Sequence, residues 1–363
     1  MKKILSAFLL LLLTATSHAA TDSLDIKIGQ MIMVGIGKKT TLPASDPVAV
    51  AIEQGKIGGI VIFENNIAGQ NAKAQLKQLI STCQSKATIP LFVSIDEEGG
   101  RVHRLKAKYG FINMPSAAKL GRINNTDTTL FYNRKLAALM EELGINLNYA
   151  PSVDVAVNPL NPVIVQNERS FSEDPEVVTR HALACIDAHH DYHVMTILKH
   201  FPGHGSSKSD SHLGIVDVTN TWQPDELIPY RDIFRSGNYD AVMTAHIINR
   251  KWDPSMLPAT LSEKVVTGML RGELGFKGVV FSDDMQMGAI SKNYGFENAI
   301  KLAVNAGVDV LMFTNSMPEG QKSITASEVH RTIKRLVEHG QISRSRIDDA
   351  YRRIMILKNK MVH

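Results

Sequence analysis

Eight short apolar runs, each bounded by glycine, proline or polar residues, constrain the fold of this 363-residue chain more than any other feature. They cover residues 31–34, 59–63, 91–95, 145–150, 194–198, 241–244, 278–281 and 309–313. Short runs that are apolar throughout are typical of parallel strands buried on both faces. The sequence therefore predicts eight buried strands of one parallel sheet.

Longer stretches with helical periodicity separate these runs. Near the C-terminus, for example, Ile347, Tyr351, Ile354 and Leu357 recur at the spacing of one helix face. This alternation predicts an α/β fold, a (β/α)8 TIM-type barrel that forms a single catalytic domain. A doubly wound open sheet is the alternative, although residues 35–37 lack the third glycine of a dinucleotide-binding fingerprint.

The N-terminus has the pattern of a signal peptide. Lys2 and Lys3 precede an apolar run over residues 4–13, and Ser17 and Ala19 are small residues where a signal peptidase reads the chain. The run has about half the length of a membrane-spanning helix, so a membrane anchor is the weaker alternative. We expect residues 1–19 to be a signal peptide, residues 20–363 to be the barrel, and the protein to be periplasmic or secreted.

Composition excludes several classes of protein. The chain is 44% hydrophobic and 21% charged, which is typical of a globular protein. Its formal net charge of +4 comes without an aromatic-studded basic cluster, so we expect no nucleic-acid partner. Cys83 and Cys185 are too few for a disulfide scaffold, and we expect two buried free thiols rather than a disulfide between them.

Polar motifs follow five of the predicted strands. They are Asp96-Glu97-Glu98-Gly99-Gly100-Arg101 after the third, Asp154 after the fourth, Lys199-His200-Phe201-Pro202-Gly203-His204-Gly205 after the fifth, His246 after the sixth and Ser282-Asp283-Asp284 after the seventh. In a (β/α)8 barrel the C-terminal ends of the strands meet at one rim, where active sites lie. This clustering indicates an enzyme.

Two acidic residues follow the seventh strand. A carboxylate fixed at a rigid strand end suits a nucleophile or a charge stabiliser, which makes Asp283 the catalytic candidate. Asp284 is the next residue, so we expect its side chain to point away from the pocket and to cap the following helix.

Asp210 and His212 lie in a polar stretch after the fifth strand. Residues i and i+2 of an extended or turned segment face the same way, so Asp210 can hold one ring nitrogen of His212 and favour its protonated form. His212 is then a candidate proton donor and acceptor. The alternative is a solvated loop with an ordinary Asx turn.

Further polar residues are candidates for binding hydroxyl groups. A buried carboxylate at Asp96 can accept hydrogen bonds from two neighbouring hydroxyls, and Lys199 and His200 can add polar contacts. Arg104 and Arg169 can add charged donors. Taken singly, residues of this kind are more often structural than functional.

We expect no catalytic metal. Seven of the 13 histidines lie between His181 and His212, but His200 and His204 flank a Pro-Gly pair and so do not form a helical ligand pair. The first predicted strand is followed by Gly35-Ile36-Gly37, which offers no metal ligand.

Taken together, these motifs resemble those of the bacterial β-N-acetylglucosaminidases of glycoside hydrolase family 3. The resemblance rests on residues 96–102, Arg169-Ser170-Phe171, residues 199–205 followed after four residues by Asp210-Ser211-His212, and Ser282-Asp283-Asp284. It covers essentially the whole chain after the predicted signal peptide, and the fifth-strand motif is its most specific part.

The resemblance implies an exo-acting, retaining hydrolase that releases terminal N-acetylglucosamine without a cofactor. Asp283 would be the nucleophile, and His212, held by Asp210, the acid/base. By the same resemblance Asp96, Arg104, Arg169, Lys199 and His200 would bind the sugar in the −1 subsite. Larger relatives carry a further domain that can supply an acid/base residue, whereas here we expect the barrel loops to supply it.

Several alternatives stay open. A phosphorylase would use the same site with phosphate in place of water, and a sugar-binding barrel without catalysis would bind without turnover. A metal-dependent hydrolase is a third possibility. We expect a small carbohydrate as the partner, either a peptidoglycan fragment or a chitooligosaccharide, and no stable membrane anchor. The sequence does not assign an oligomeric state.

Overall fold

Eight parallel strands close into a barrel in the computed structural model of the chain, which describes residues 23–316 and 323–361. They are β1 (Ile32–Gly35), β2 (Gly59–Ile62), β3 (Phe92–Ile95), β4 (Leu147–Asn148), β5 (Met195–Phe201), β6 (Ala241–Thr244), β7 (Val279–Asp284) and β8 (Val310–Phe313). Each strand pairs with its neighbours in sequence, and β8 pairs with β1. The predicted (β/α)8 barrel is confirmed and the open sheet is excluded.

Helices surround the barrel. They are α1 (Leu24–Gln30), α2 (Pro47–Glu53), α3 (Ala72–Ser85), α4 (Ala117–Ile123), α5 (Thr126–Leu143), α6 (Pro175–His190), α7 (Ile228–Ser236), the π-helical α8 (Lys264–Glu273), α9 (Gly288–Ser291), α10 (Phe296–Ala306), α11 (Ala326–Glu338) and α12 (Arg344–Asn359). Shorter 3-10 turns occur at Glu64–Asn66, Ala107–Tyr109, Pro224–Leu227 and Ala259–Leu261.

Side chains fill the inside of the barrel. The rings of Phe92 and Phe281 meet edge to face with centroids 5.9 Å apart, and both side chains are fully buried. The Ser94 hydroxyl donates to the Tyr149 hydroxyl at 2.8 Å across the same interior. The barrel is therefore a packed core rather than a pore, and the polar side chains of the predicted site lie at its mouth.

A buried lysine of α12 closes the opposite end. The Nζ of Lys358 donates to the side-chain oxygen of Gln30 at 2.7 Å and to the carbonyls of Gly58 at 2.7 Å and Pro90 at 2.6 Å. Its ammonium also lies 4.7 Å from the centre of the Phe92 ring. These partners precede β1, β2 and β3 or lie in β3, so one side chain ties the last helix to the starts of three strands. Burial lowers the pKa of Lys358 to about 7.

We expect Lys358→Met to lower the melting temperature by about 5 °C or more, because it leaves three buried acceptors unsatisfied. Differential scanning calorimetry at pH 7 measures this change. Lys77→Met, at an exposed position of α3, is the matched control. Its free energy of unfolding should stay within about 0.5 kcal/mol of that of the parent chain. A Lys358→Met protein as stable as this control would contradict the role of the buried ammonium.

An excursion after β5 carries the Asp210–His212 segment over the barrel mouth. Beyond this segment, Val216–Asp217 of the excursion pairs in parallel with Ile247–Ile248, which follows β6. The indole N–H of Trp222 donates to the Pro202 carbonyl at 3.0 Å and so joins the two ends of the excursion. The segment is thus a closed loop on a rigid base.

Both cysteines are free and buried, as the sequence predicts. Cys83 lies in α3 and Cys185 in α6, and burial raises the pKa of the Cys83 thiol to about 12. Within the described ranges no helix has the length and apolar character needed to cross a membrane. The predicted signal peptide, residues 1–19, lies outside the described residues.

Candidate active site

A cavity of about 480 Å³ opens at the C-terminal ends of the strands. Its walls include seven of the eight predicted site residues, namely Asp96, Arg104, Arg169, Lys199, His200, His212 and Asp283. The eighth, Asp210, is hydrogen-bonded to His212. The structure therefore brings together residues from four separate stretches of the sequence.

A cluster of paired charges forms one wall. The Nζ of Lys199 lies 2.6 Å from Asp96 Oδ1 and 2.5 Å from Glu98 Oε1. Arg169 donates two further hydrogen bonds to Glu98, at 2.9 and 2.7 Å, and Arg104 donates to Asp96 at 3.2 Å. Burial raises the pKa of Glu98, but Arg169 and Lys199 outweigh this effect and hold it at about 2. Glu98 is thus ionised, and the hydrogen bonds from Lys199 and Arg104 fix the Asp96 carboxylate in place.

A buried carboxylate orients His200. Asp154 accepts a hydrogen bond from His200 Nδ1 at 2.7 Å and others from the backbone N–H groups of His200 and His204, at 3.2 and 2.7 Å. Burial raises the pKa of Asp154, but the two histidines outweigh this and hold it well below its usual range. Arg169 donates to His200 Nε2 at 3.2 Å, so Nδ1 carries the ring proton that Asp154 accepts.

Asp283 is near the end of β7, partly exposed to the cavity. Burial alone would raise the pKa of Asp283. The opposing effect of three imidazoles and of the Asp284 backbone N–H is larger, so the net pKa lies below the usual range; the imidazoles are those of His246, His200 and His212. Asp284 N–H donates to Asp283 Oδ1 at 2.7 Å. Asp283 is therefore an ionised carboxylate at neutral pH.

The expectation that Asp284 caps the next helix is wrong. Its carboxylate accepts hydrogen bonds from the backbone N–H groups of Gln286 at 3.0 Å and Thr314 at 3.3 Å, and from the Thr314 hydroxyl. The N-cap of α9 is Met287, without a side-chain cap. Asp284 also lies on the cavity wall, where it joins the loop after β7 to the loop after β8. Burial raises its pKa to about 6.

His212 and Asp210 form the predicted pair. Asp210 Oδ1 lies 2.7 Å from His212 Nδ1 and accepts the His212 backbone N–H at 2.8 Å, so the Asx turn and the imidazole contact occur together. The His212 side chain is 62% exposed, unlike the other residues of the site. Because Asp210 occupies Nδ1, Nε2 is the nitrogen left for a substrate.

Three buried carboxylates were in the sequence motifs without an assigned role. Glu98 neutralises Arg169 and Lys199, and Asp154 orients His200. Glu97 contacts the His103 ring and accepts the backbone N–H of Arg104 at 2.8 Å. It therefore shapes the turn that aims Arg104. All three carboxylates follow barrel strands, and this position is the sequence feature that marks them as site residues. The sequence does not reveal which residues they contact.

We expect Asp154→Asn to reduce both stability and activity. The amide N–H₂ would face donors that now point at a carboxylate, and breaking a buried ion pair costs about 3–5 kcal/mol. Calorimetry and kcat/KM for the substrate proposed below measure the two effects. Asp127→Asn, exposed at the start of α5, is the control. Unchanged kcat/KM in Asp154→Asn would show that the orientation of His200 is unimportant.

Within the described residues, no group of three histidine, cysteine, aspartate or glutamate side chains is arranged to hold a metal ion. The fold and the ionised cavity place the chain among the (β/α)8-barrel enzymes.

Comparison with known proteins identifies the family. The family model described as Glycosyl hydrolase family 3 N terminal domain matches residues 23–357. The β-hexosaminidase of Tolumonas auensis is 35% identical over 265 residues, which covers 72% of this chain and 76% of that protein. The β-hexosaminidase A of Pseudoalteromonas piscicida is 32% identical over 340 residues, or 89% of this chain. The chain therefore belongs to glycoside hydrolase family 3.

Solved structures agree. A family 3 β-N-acetylglucosaminidase from Paenibacillus superposes with a TM-score of 0.85 at 36% identity over 93% of this chain. A β-N-acetylhexosaminidase from Beutenbergia cavernae gives a TM-score of 0.81 at 30% identity and covers 93% of this chain and 98% of its own. The present chain spans only 56% of the Pseudoalteromonas protein and 62% of the Paenibacillus chain.

Proposed function

We propose that this protein is an exported, exo-acting, retaining β-N-acetylglucosaminidase. Its substrates would be peptidoglycan fragments or chitooligosaccharides, from which it releases the terminal non-reducing N-acetylglucosamine. The observation that carries the proposal is that the ionised Asp283 and the Asp210-supported His212 line one cavity. The names of the similar proteins and the signal-peptide pattern at residues 1–19 add support.

The charged wall suits the hydroxyl groups of one sugar ring. Asp96, held between Lys199 and Arg104, remains partly exposed and can accept from two neighbouring hydroxyls. Arg104 also lines the cavity, where its guanidinium group can donate to a hydroxyl of the sugar. Arg169 and His200 complete this wall, and we assign all five residues to the −1 subsite.

In the first chemical step, Asp283 attacks the anomeric carbon and the bond to the leaving oxygen breaks. His212 donates its Nε2 proton to that oxygen, while Asp210 stabilises the imidazolium beforehand. The product is a glycosyl ester of Asp283. In the second step, neutral His212 takes a proton from water as the water attacks the same carbon, and the Asp283 carboxylate leaves.

A histidine acid has an electrostatic consequence. After it donates its proton, the imidazole is neutral, so it adds no second negative charge near Asp283. A carboxylic acid in the same role would become an anion and would oppose the ionised nucleophile. This difference fits a cavity in which the pKa of Asp283 is already held low.

The substrate assignment predicts release of p-nitrophenol from p-nitrophenyl N-acetyl-β-glucosaminide, with much slower release from the plain β-glucoside. Absorbance assays on both compounds test this, with Asp283→Ala as the inactive control. Release from the glucoside alone would overturn the assignment. Tight sugar binding without any turnover would instead indicate a binding barrel, and loss of activity in chelator would indicate a metal-dependent hydrolase.

The mechanism predicts that His212→Ala depends strongly on the leaving group. Hydrolysis of a substrate with a poor leaving group should fall by about 10²-fold or more, since general acid catalysis contributes 10²–10⁴. A dinitrophenyl glycoside needs no acid, so its first step should be nearly unchanged, and azide should accelerate its turnover. Equal losses on both substrates, without azide rescue, would remove His212 from the acid/base role.

Two further measurements refine the proposal. Rates and products with and without inorganic phosphate separate a hydrolase from a phosphorylase, because only the latter forms N-acetylglucosamine 1-phosphate. Product analysis on a muropeptide and on chitobiose identifies the preferred aglycone.

A further inference from the structure

The loop that carries His212 is docked onto the residues that follow β7. The backbone N–H of Gly288 donates to the His212 carbonyl at 3.1 Å, and that of Ala289 donates to the Ser211 carbonyl at 3.3 Å. The Nζ of Lys292 donates to the Leu213 carbonyl at 3.1 Å. Gly288 and Ala289 begin α9, and the first N–H groups of a helix have no acceptor inside it. The loop therefore supplies acceptors that these donors lack.

Close approach of the loop requires glycine at position 288. A Cβ built there would lie 2.8 Å from the His212 carbonyl oxygen and 3.0 Å from the carbonyl carbon and oxygen of Leu213. All three are backbone atoms, so no side-chain rotation relieves the contact. The φ angle of Gly288 is not in the left-handed region, so its own conformation does not call for glycine.

Hydrogen bonds connect Gly288 to the end of β7, where Asp283 lies. One residue after Asp283, the carboxylate of Asp284 accepts from the backbone of Gln286 and Thr314. The Asp284 carbonyl accepts the N–H of Met287 at 3.0 Å, and Met287 directly precedes Gly288. Hydrogen bonds therefore fix every step from the proposed nucleophile to the glycine.

We infer that Gly288 is a positioning residue for the acid/base. Its missing side chain lets the loop close onto the start of α9, which sets the distance between His212 and Asp283. His212 itself is largely exposed and is held by Asp210 on its own loop, so the docking contact aligns it with the nucleophile. The catalytic part of this inference rests on the proposed function, whereas the docking itself does not.

Gly288→Ala tests the docking. Hydrogen exchange followed by mass spectrometry should be faster in peptides covering residues 208–214 and 285–292, because the added methyl group forces the carbonyls away. Gly69→Ala is the matched control, since its Cβ meets no atom within 4 Å. Unchanged exchange in Gly288→Ala would overturn the inference whatever reaction the enzyme performs.

Kinetics test the consequence for catalysis. With a poor aryl leaving group, Gly288→Ala should lose about tenfold or more in kcat/KM, since displacements near 1 Å can cost about 10²-fold. With a dinitrophenyl leaving group the loss should be small, and azide should raise kcat. Equal losses on both substrates without azide rescue would mean a general structural defect and would contradict the positioning role.

Lys292→Met is the second variant, because it removes one docking contact without adding a clash. It should change exchange and leaving-group dependence in the same direction as Gly288→Ala, by a smaller factor. An effect in the opposite direction would count against the inference. If the parent enzyme hydrolyses no N-acetylglucosaminide, the proposed function fails, and the exchange experiment still decides the docking.

Discussion

The cluster of Lys199, Arg169 and Arg104 with Glu98 and Asp96 is the constraint on which the site depends. Charges removed from water are stable only when they are paired and hydrogen-bonded. Glu98 satisfies this condition completely, since it contacts both Arg169 and Lys199. Asp96 satisfies it only in part, because it is still partly exposed to the cavity. The cluster is therefore rigid on the protein side and open on the side where a sugar would bind.

The two proposed catalytic groups, Asp283 and His212, lie in different electrostatic surroundings. Asp283 lies among imidazoles and a backbone N–H that favour its charged form. His212 lies in an exposed loop, and the Asp210 carboxylate is hydrogen-bonded to its Nδ1. A carboxylate held in its charged form suits the nucleophile role, and an exposed imidazole whose Nδ1 is held by a carboxylate suits proton transfer. In the proposed mechanism, the barrel supplies the fixed nucleophile and the loop supplies the group that exchanges protons with substrate and water.

The sequence predicts the scaffold well because burial on both faces leaves a clear pattern. All eight apolar runs overlap a barrel strand. Asp96, Lys199, His200 and Asp283, which belong to the polar motifs after the third, fifth and seventh runs, line the cavity at the strand ends. The sequence does not predict which residues these polar side chains contact. Glu98 pairs with Arg169, 71 positions later, and Asp154 with His200, 46 positions later. Such pairings depend on the closure of the barrel, which no local pattern encodes. Asp284 was misassigned for the same reason, since its partner Thr314 follows the next strand.

Gly288 illustrates the limit of local reasoning most clearly. The local backbone does not explain why residue 288 is a glycine, because its φ angle is one that other residues also adopt. Its reason appears only when the loop after β5 is placed against it. Loops that carry catalytic groups gain precision when a rigid element holds them. In this barrel the rigid element is the turn that follows the proposed nucleophile, so by our inference one strand end determines the positions of both proposed catalytic groups.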